Sequence, residues 1–268
     1  MIHIQSRISR NYFDDYQFFK NGRYQGFCHP VLAEHLSSDS ISNIMKKERY
    51  LKIIKSKRNI VFNIRNNDSE NLPMEWVNIK TEKNISHGKS ILSGILGSKA
   101  RRSFKTACRL ISCDLDTPIP LGYIERKKGI RVIENFYLSE AVETEFNIRD
   151  YIKKSAEADV KPVIHAVAAY ANKLHDAGII HRDMNITNFL IYQHQGQRHI
   201  GMIDLNRAIG TPWLPGFIRI YDISRMNWKK YRGPFFNAYC CNRKSFTRWQ
   251  WFFDFYIKYL KKRRSLKK

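Results

Sequence analysis

The stretch Gly178–Asp204, GIIHRDMNITNFLIYQHQGQRHIGMID, decides how the rest of the chain is read. Two short apolar runs, Phe189 to Tyr192 and His199 to Ile203, flank the polar turn Gln193 to Gln197, a pattern that predicts a hairpin of two strands. His181, Arg182, Asp183 and, five residues after the Asp, Asn188 stand before the first strand, and Asp204 closes the second. Such a hairpin brings Asn188, at its entry, beside Asp204, at its exit.

That spacing has a chemical reading. His-Arg-Asp-x-x-x-x-Asn, followed by an Asp at the end of an apolar strand, is the carboxylate and amide set that transfer of a phosphoryl group from ATP to a hydroxyl needs. Asp183 fits the carboxylate that orients the attacking hydroxyl and accepts its proton. Asn188 and Asp204 fit the amide oxygen and second carboxylate that hold magnesium ions against the phosphates. The plain alternative is a polar loop and a strand that ends in Asp. Four fixed residues match by accident on the order of once per thousand chains this long, and Asp204 lowers the odds further.

The bulk composition bounds the partners. At 268 residues the chain is long enough for one large domain or two lobes with a proper core. Its five cysteines, Cys28, Cys108, Cys113, Cys240 and Cys241, include an adjacent pair but no Cys-x-x-Cys, so neither a secreted disulfide framework nor a zinc site is suggested and a reducing cytoplasm fits. The N-terminal segment lacks the apolar core of a signal peptide, and no run of about eighteen apolar residues occurs, so a soluble or peripheral protein is expected. The net charge of +23 implies an anionic partner larger than ATP, either nucleic acid or an anionic membrane surface. Basic residues concentrate at the end, where Trp249, Trp251, Phe252, Phe253, Phe255, Tyr256, Tyr259 and Leu260 precede Lys261, Lys262, Arg263, Arg264, Lys267 and Lys268. An aromatic belt beside a basic cluster suits the interface of an anionic bilayer. A final helix packed through its aromatics, with a solvated basic tail, suits the same pattern. No aromatic-basic motif of the RNA-reading kind occurs, which argues against nucleic acid.

Upstream, LKIIK, NIVFNI and EWVNIK, with a polar turn from Arg65 to Pro73, read as the first strands of a small antiparallel sheet. Lys80 ends a Val-x-Ile-Lys run where a strand lysine reaches nucleotide phosphates; an exposed strand-end lysine is the alternative. No glycine lies between Lys55 and Asn59, so a glycine-rich phosphate cradle is not expected there. From Gly97, GSKARRSFKTACRLISC puts Ala100, Phe104, Ala107, Cys108 and Ile111 on one helical face, with Ser98 as cap and a basic opposite face that is either solvated or part of an anionic acceptor site. LGYIER and GIRVIENFYLSE, joined by Lys127-Lys128-Gly129, are two more strands, followed by the extended link AVETEFNIRDYI. Main-chain groups of Glu140, Ala141 and Val142 in that link are candidates for the adenine edge. DVKPVIHAVAAYANKLHDAG puts Val160, Ile164, Val167, Ala171 and Leu174 on one stripe, and Gly178 ends that helix. His165 and His175 are read as packing or surface residues, as are His29 and His35. Residues 1–48 have no assigned role; 49–143 form a small antiparallel-sheet N-lobe and 144–268 a mainly helical C-lobe, an α+β two-lobed arrangement.

With these pieces aligned, the chain resembles the protein-kinase-like fold, and more closely the lipopolysaccharide core sugar kinase family, which phosphorylates Kdo or heptose of the inner core. The closer likeness rests on SKARRSFKTACRLISCDLDTPIPLGYIE, KLHDAGIIHRDMNITNFLI, MIDLNRA where protein kinases have Asp-Phe-Gly, and FIRIYDISRMNW; it covers about Ile54 to Trp228. It implies Asp183 as catalytic base, Asn188 and Asp204 as metal ligands, Lys80 as the phosphate-binding lysine, and Asp222 as a structural brace of the catalytic loop. It further implies ATP and Mg2+ as cofactors, a lipopolysaccharide core glycolipid as acceptor, and a cytoplasmic enzyme peripheral at the inner face of the bacterial inner membrane. Arg207 is a candidate contact for acceptor or phosphate. Two departures stand out. No Glu or Asp occurs from Gly97 to Cys113 to pair Lys80, and only Leu205 to Tyr221 separate Asp204 from Asp222, with no Ala-Pro-Glu, which argues against a protein kinase. The competing functions are a small-molecule or protein kinase of the same fold, and a non-catalytic kinase-like module for nucleic acid.

Overall fold

The structure, a computed structural model, describes residues 2–3, 5–6, 14, 16–30, 32, 52–55, 59–65, 76–82, 85–142, 144–226, 228–241 and 249–265. The expected turn beyond Arg65, the loop at residues 56–58 and the end of the basic tail, 266–268, lie outside these residues, as do His35 and the side chains of Arg263 and Arg264. Along the chain run β1 (Ile2–His3), β2 (Gln17–Asn21), β3 (Tyr24–Cys28), β4 (Lys52–Lys55), β5 (Asn59–Arg65), β6 (Trp76–Glu82), α1 (His87–Leu96), α2 (Lys99–Ser112), β7 (Pro120–Lys128), β8 (Arg131–Glu140) and β9 (Thr144–Asn147). There follow α3 (Ile148–Lys154), α4 (Glu157–Asp176), β10 (Ile179–Ile180), β11 (Phe189–His194), β12 (Gln197–Met202), β13 (Ile209–Gly210), α5 (Gly216–Ile223), α6 (Arg232–Cys240) and α7 (Gln250–Ser265). Two compact units result: residues 8–112 with 118–142, and residues 1–7 with 113–117 and 143–268.

The first unit is built on an antiparallel sheet in the order β2-β3-β7-β8-β6-β5-β4. The hairpin β2–β3, in the stretch whose role composition leaves open, is hydrogen-bonded along β7. Gly26 permits this: a Cβ there would stand 1.9 Å from the Tyr123 carbonyl oxygen. α2 forms as its pattern predicts. Ala100, Phe104, Ala107, Leu110 and Ile111 are buried against β7 and β8, and Phe104 sits 5.6, 6.2 and 5.5 Å from the rings of Tyr16, Phe27 and Tyr123. Ser98 caps it, its Oγ accepting the Arg101 N–H at 3.1 Å, while Glu125 and Asn135 accept the N–H groups of Ser98 and Ala100 at 3.3 Å. Buried carboxamide and carboxylate oxygens from the sheet thus satisfy donors at the helix start. Burial also pushes the thiols of Cys28 and Cys108 up to about 12, so both stay protonated packing groups.

The second unit centres on α4, whose residues Val160, Val163, Ile164, Val167, Ala168, Ala171 and Leu174 are buried along one stripe. Beside it stands a sheet in the order β1-β12-β11-β9, with β1 parallel to β12. The hairpin β11–β12 pairs Phe189 with Met202 and turns through Gln195 and Gly196, both at positive φ. The strands are longer and the turn tighter than the polar run alone indicates, because paired φ > 0 residues match the strand twist. Residues 113–117 are clasped to this sheet: Asp116 O accepts the Met202 N–H at 3.2 Å and the Tyr170 hydroxyl at 2.7 Å, and Thr117 Oγ1 donates to Met202 O at 2.8 Å. In α7, Phe253 and Ile257 are buried, Phe253 stacking on Phe236 at 4.7 Å, whereas Trp251, Phe255 and Tyr259 are exposed. The expected packing of the aromatic end therefore holds on one face of the helix, and the other face is exposed.

Candidate active site

α4 stops at Asp176, and Gly178, at φ +67°, turns the chain into β10. β10 pairs with β13, Ile180 opposite Ile209, which fixes the backbone that delivers the loop His181-Arg182-Asp183. Asp222 of α5 is fully buried beneath that loop. Its Oδ2 accepts the His181 N–H at 2.7 Å and its Oδ1 the Arg182 N–H at 2.8 Å. Arg182 sits at φ +63°, a conformation that costs a non-glycine residue ~1 kcal/mol; the two charge-assisted hydrogen bonds hold it there. His181 and Met184, both buried, anchor the loop on either side of Asp183, which stays part-exposed. The brace expected of Asp222 is thus a pair of hydrogen bonds in this chain.

Asp183, Asn188 and Asp204 come together through the backbone. The Asn188 side-chain amide donates to Asp183 O at 2.9 Å, which turns its carbonyl oxygen away from that bond. The Asn188 carbonyl accepts the N–H of Ile203, the residue before Asp204, at 2.8 Å. Asp204 lies in the left-handed region at φ 63°, and its Oδ1 accepts from Asn206 Nδ2 at 2.7 Å. The hairpin therefore does what its sequence pattern predicts, joining Asn188 at its entry to the backbone just before Asp204.

Two arginines flank the carboxylate of Asp183. Arg207 Nη1 is 3.1 Å from Oδ2, and Arg225 Nη2 is 3.4 Å from Oδ1. Arg207 was visible in the sequence as the residue just past the second Asp. Arg225 was not: it lies 42 residues from Asp183, and no local spacing connects them. Arg225 is itself held by Tyr221, whose hydroxyl it meets at 3.2 Å and over whose ring it lies at 5.9 Å. The Tyr221 ring packs 4.8 Å from Tyr256 of α7, and burial together with the Tyr221 hydroxyl pushes the Tyr256 phenol up to about 12. A continuous set of contacts thus runs from α7 through Tyr256, Tyr221 and Arg225 to Asp183.

His181 is fully buried, with Nε2 3.3 Å from the Ile203 carbonyl and Nδ1 without a hydrogen-bond partner. Burial lowers its pKa below 6.5, against the opposing pull of Asp222, so the neutral ring donating through Nε2 is favoured. His175, also buried, meets Tyr239 Oη at 2.7 Å and is a packing residue, as its sequence context indicates.

The remaining expected residues lie together in the sheet unit. Lys80, on β6, stands opposite Tyr137 of β8, which in turn stands opposite Tyr123, so it shares the sheet face that α2 covers. A strand-helix ion pair of a different kind is present: Glu82, two residues beyond Lys80 on the same face of β6, bonds Lys99 of α2 at 2.5 Å. Glu140 ends β8, opposite Val77; its N–H donates to Ile119 O at 2.8 Å and its Oε2 accepts the Ile119 N–H at 3.2 Å. That N–H is therefore committed within the sheet, and Val142 is two residues further along the link.

Among the described residues no three His, Cys, Asp or Glu side chains gather to form a protein-only metal cage. The donors present, one amide carbonyl and one carboxylate, are instead the set that suits Mg2+ shared with nucleotide phosphates, since magnesium takes one or two protein oxygens and completes its octahedron from phosphate and water. The chemistry of the donor set thus fits the ion. A model of the lipopolysaccharide kinase (Kdo/WaaP) family matches residues 46–251. No curated protein matches the chain.

Proposed function

The chain belongs to the lipopolysaccharide kinase (Kdo/WaaP) family, and from this premise we propose that it transfers the terminal phosphate of ATP to a hydroxyl of an inner-core sugar, Kdo or heptose. Kinase-type phosphotransfer follows from the family and from the α+β kinase-like fold. The sugar acceptor, the nucleotide and the residue roles are our reading. The observation that carries it is the loop braced by Asp222, which presents the part-exposed Asp183 next to Asn188 and the strand end bearing Asp204.

In this reading Asp183 orients the acceptor hydroxyl and takes its proton as the bond from the hydroxyl oxygen to the terminal phosphorus forms and the bond from that phosphorus to the bridging oxygen breaks, releasing ADP. Asn188 and Asp204 would hold Mg2+, which would supply positive charge to the phosphate oxygens. Lys80 binds the phosphates as a point charge. With the Glu140 N–H engaged by Ile119, the adenine edge falls to main-chain groups of Val142 and the Glu140 carbonyl. Arg207 and Arg225 hold the carboxylate of Asp183 in its orientation, and Arg207, the more exposed of the two, extends toward an anionic acceptor or the transferring phosphate. The glycolipid is held by the basic surface and by the exposed aromatic stripe Trp251, Phe255 and Tyr259 of α7, peripheral at the inner face of the inner membrane. No helix among the described residues is long and apolar enough to cross a membrane. Incubation with labelled ATP, Mg2+ and a panel of core oligosaccharides, with mass spectrometry to locate the phosphate, tests the acceptor. Phosphate on Kdo or heptose supports the proposal; phosphate only on a protein or a small metabolite overturns it.

A further inference from the structure

α1 is amphipathic in the reverse sense. Its small residues face the sheet: Ser90 is buried and its Oγ donates to Val132 O at 2.7 Å, and Gly94 approaches the β7–β8 turn so closely that a Cβ would stand 1.6 Å from Ile130 O. Its large apolar residues face water, with Leu92, Ile95 and Leu96 exposed at 54%, 64% and 60%, and Ile130 of the adjoining turn at 60%. A helix that served only the core would carry these residues on its other side. Four neighbouring aliphatic side chains on a rigid mount are the kind of exposed patch that marks an interaction surface.

The surroundings say which kind. α1 and residues 127–131 contain no Asp or Glu, while Lys89 and Lys128 are exposed and Lys127 and Arg131 lie beside Ile130. The nearby carboxylates are already paired: Glu125 with Lys127 at 3.4 Å, Glu134 with Arg126 at 2.7 Å and Glu82 with Lys99 at 2.5 Å. An apolar centre with the exposed ammonium groups of Lys89 and Lys128 at its rim and no carboxylate on either segment, in a chain of net charge +23, complements an acidic phospholipid surface, with aliphatic side chains entering the acyl boundary and lysines at the headgroups. We infer that α1 and the β7–β8 turn form a docking face for an anionic phospholipid bilayer, a second membrane contact on the sheet unit in addition to α7. It does not depend on any chemistry at Asp183.

The test is co-sedimentation of the full chain with phosphatidylcholine vesicles, with and without phosphatidylglycerol. The chain is compared with an L92S/I95S/L96S variant, with K89E/K128E, and with a W251S/F255S variant of α7, each checked for an unchanged far-ultraviolet dichroism spectrum and melting temperature. The aliphatic variant should partition at least about tenfold less onto acidic vesicles, and the charge-reversed one should lose its preference for phosphatidylglycerol. Amide exchange of residues 87–96 and 127–131 in the unaltered chain should slow on acidic vesicles. Partitioning by the aliphatic variant equal to the unaltered chain, or exchange unchanged by vesicles, overturns the inference. So does loss of self-association in that variant with vesicle binding intact, which would make the patch a contact between copies. Phosphotransfer need not be measured, so this result and that of the acceptor panel stand apart.

Discussion

Asp222 accepts one buried and one part-buried N–H group, and removing its carboxylate takes the acceptor from both. Asp222→Ala should therefore lower the unfolding free energy by ~3 kcal/mol in a denaturant titration and abolish phosphotransfer, because Arg182 loses what holds it at positive φ. Arg225 differs, since it is part-exposed and meets Asp183 and Tyr221 through its guanidinium without satisfying any buried backbone group. Arg225→Gln should lower kcat by about tenfold to a hundredfold while leaving stability and nucleotide affinity nearly unchanged. His181 gives a pH signature. Its folded pKa is lowered by burial, so the unfolded chain binds the proton first as pH falls. Stability from the neutral buried ring is fully present above 6.5 and declines as pH drops below it toward the folded value; in His181→Phe the slope between pH 7.5 and 5.5, measured by denaturant midpoint, should flatten. At this scale the sequence was legible where the chemistry is contiguous. Asp183, Asn188 and Asp204 fall within one stretch and announce themselves by spacing. Arg225 reaches Asp183 only because α5 and its following turn pack beneath the loop, and nothing local encodes that.

The elements show the same division. α2 follows its 3.6-residue period, and Ser98, Phe104 and Ile111 take the positions expected of them. The hairpin β11–β12 forms from alternation and a Gln-Gly turn. α1 escaped notice because its buried side is Ser90 and Gly94, so apolar periodicity pointed to no core face. Gly94→Ala should destabilise the sheet unit by about 1–3 kcal/mol in a denaturant titration, since the added methyl meets backbone of the β7–β8 turn and not a flexible side chain. The place of β3 beside β7 was equally hidden: Tyr24 pairs with Arg126 across about a hundred residues of chain, and strand order is set by such distant contacts. α2 itself carries no acidic residue, and its Lys99 pairs with Glu82 of β6. That pair ties the end of β6 to the start of α2.

For the whole molecule, the two units carry different parts of the proposed chemistry, Lys80, Glu140 and Val142 in one and Asp183, Asn188 and Asp204 in the other. The family assignment spans both, because residues 46–251 include most of each. If magnesium is shared between protein and nucleotide, ATP should stabilise the chain only when Mg2+ is present. At a hundredfold excess over Kd the gain is about 2.7 kcal/mol, read as a thermal shift that EDTA removes. The central claim is narrower: the carboxylate at Asp183 activates an alcohol toward ATP held by Asn188 and Asp204. The most direct measurement is single-turnover transfer of the terminal phosphate of ATP to core oligosaccharide by the unaltered chain and by Asp183→Ala, with ATP affinity and melting temperature measured on both. The account predicts that Asp183→Ala retains fold and nucleotide binding while transfer falls by at least about a hundredfold. Equal transfer by the two proteins would contradict it.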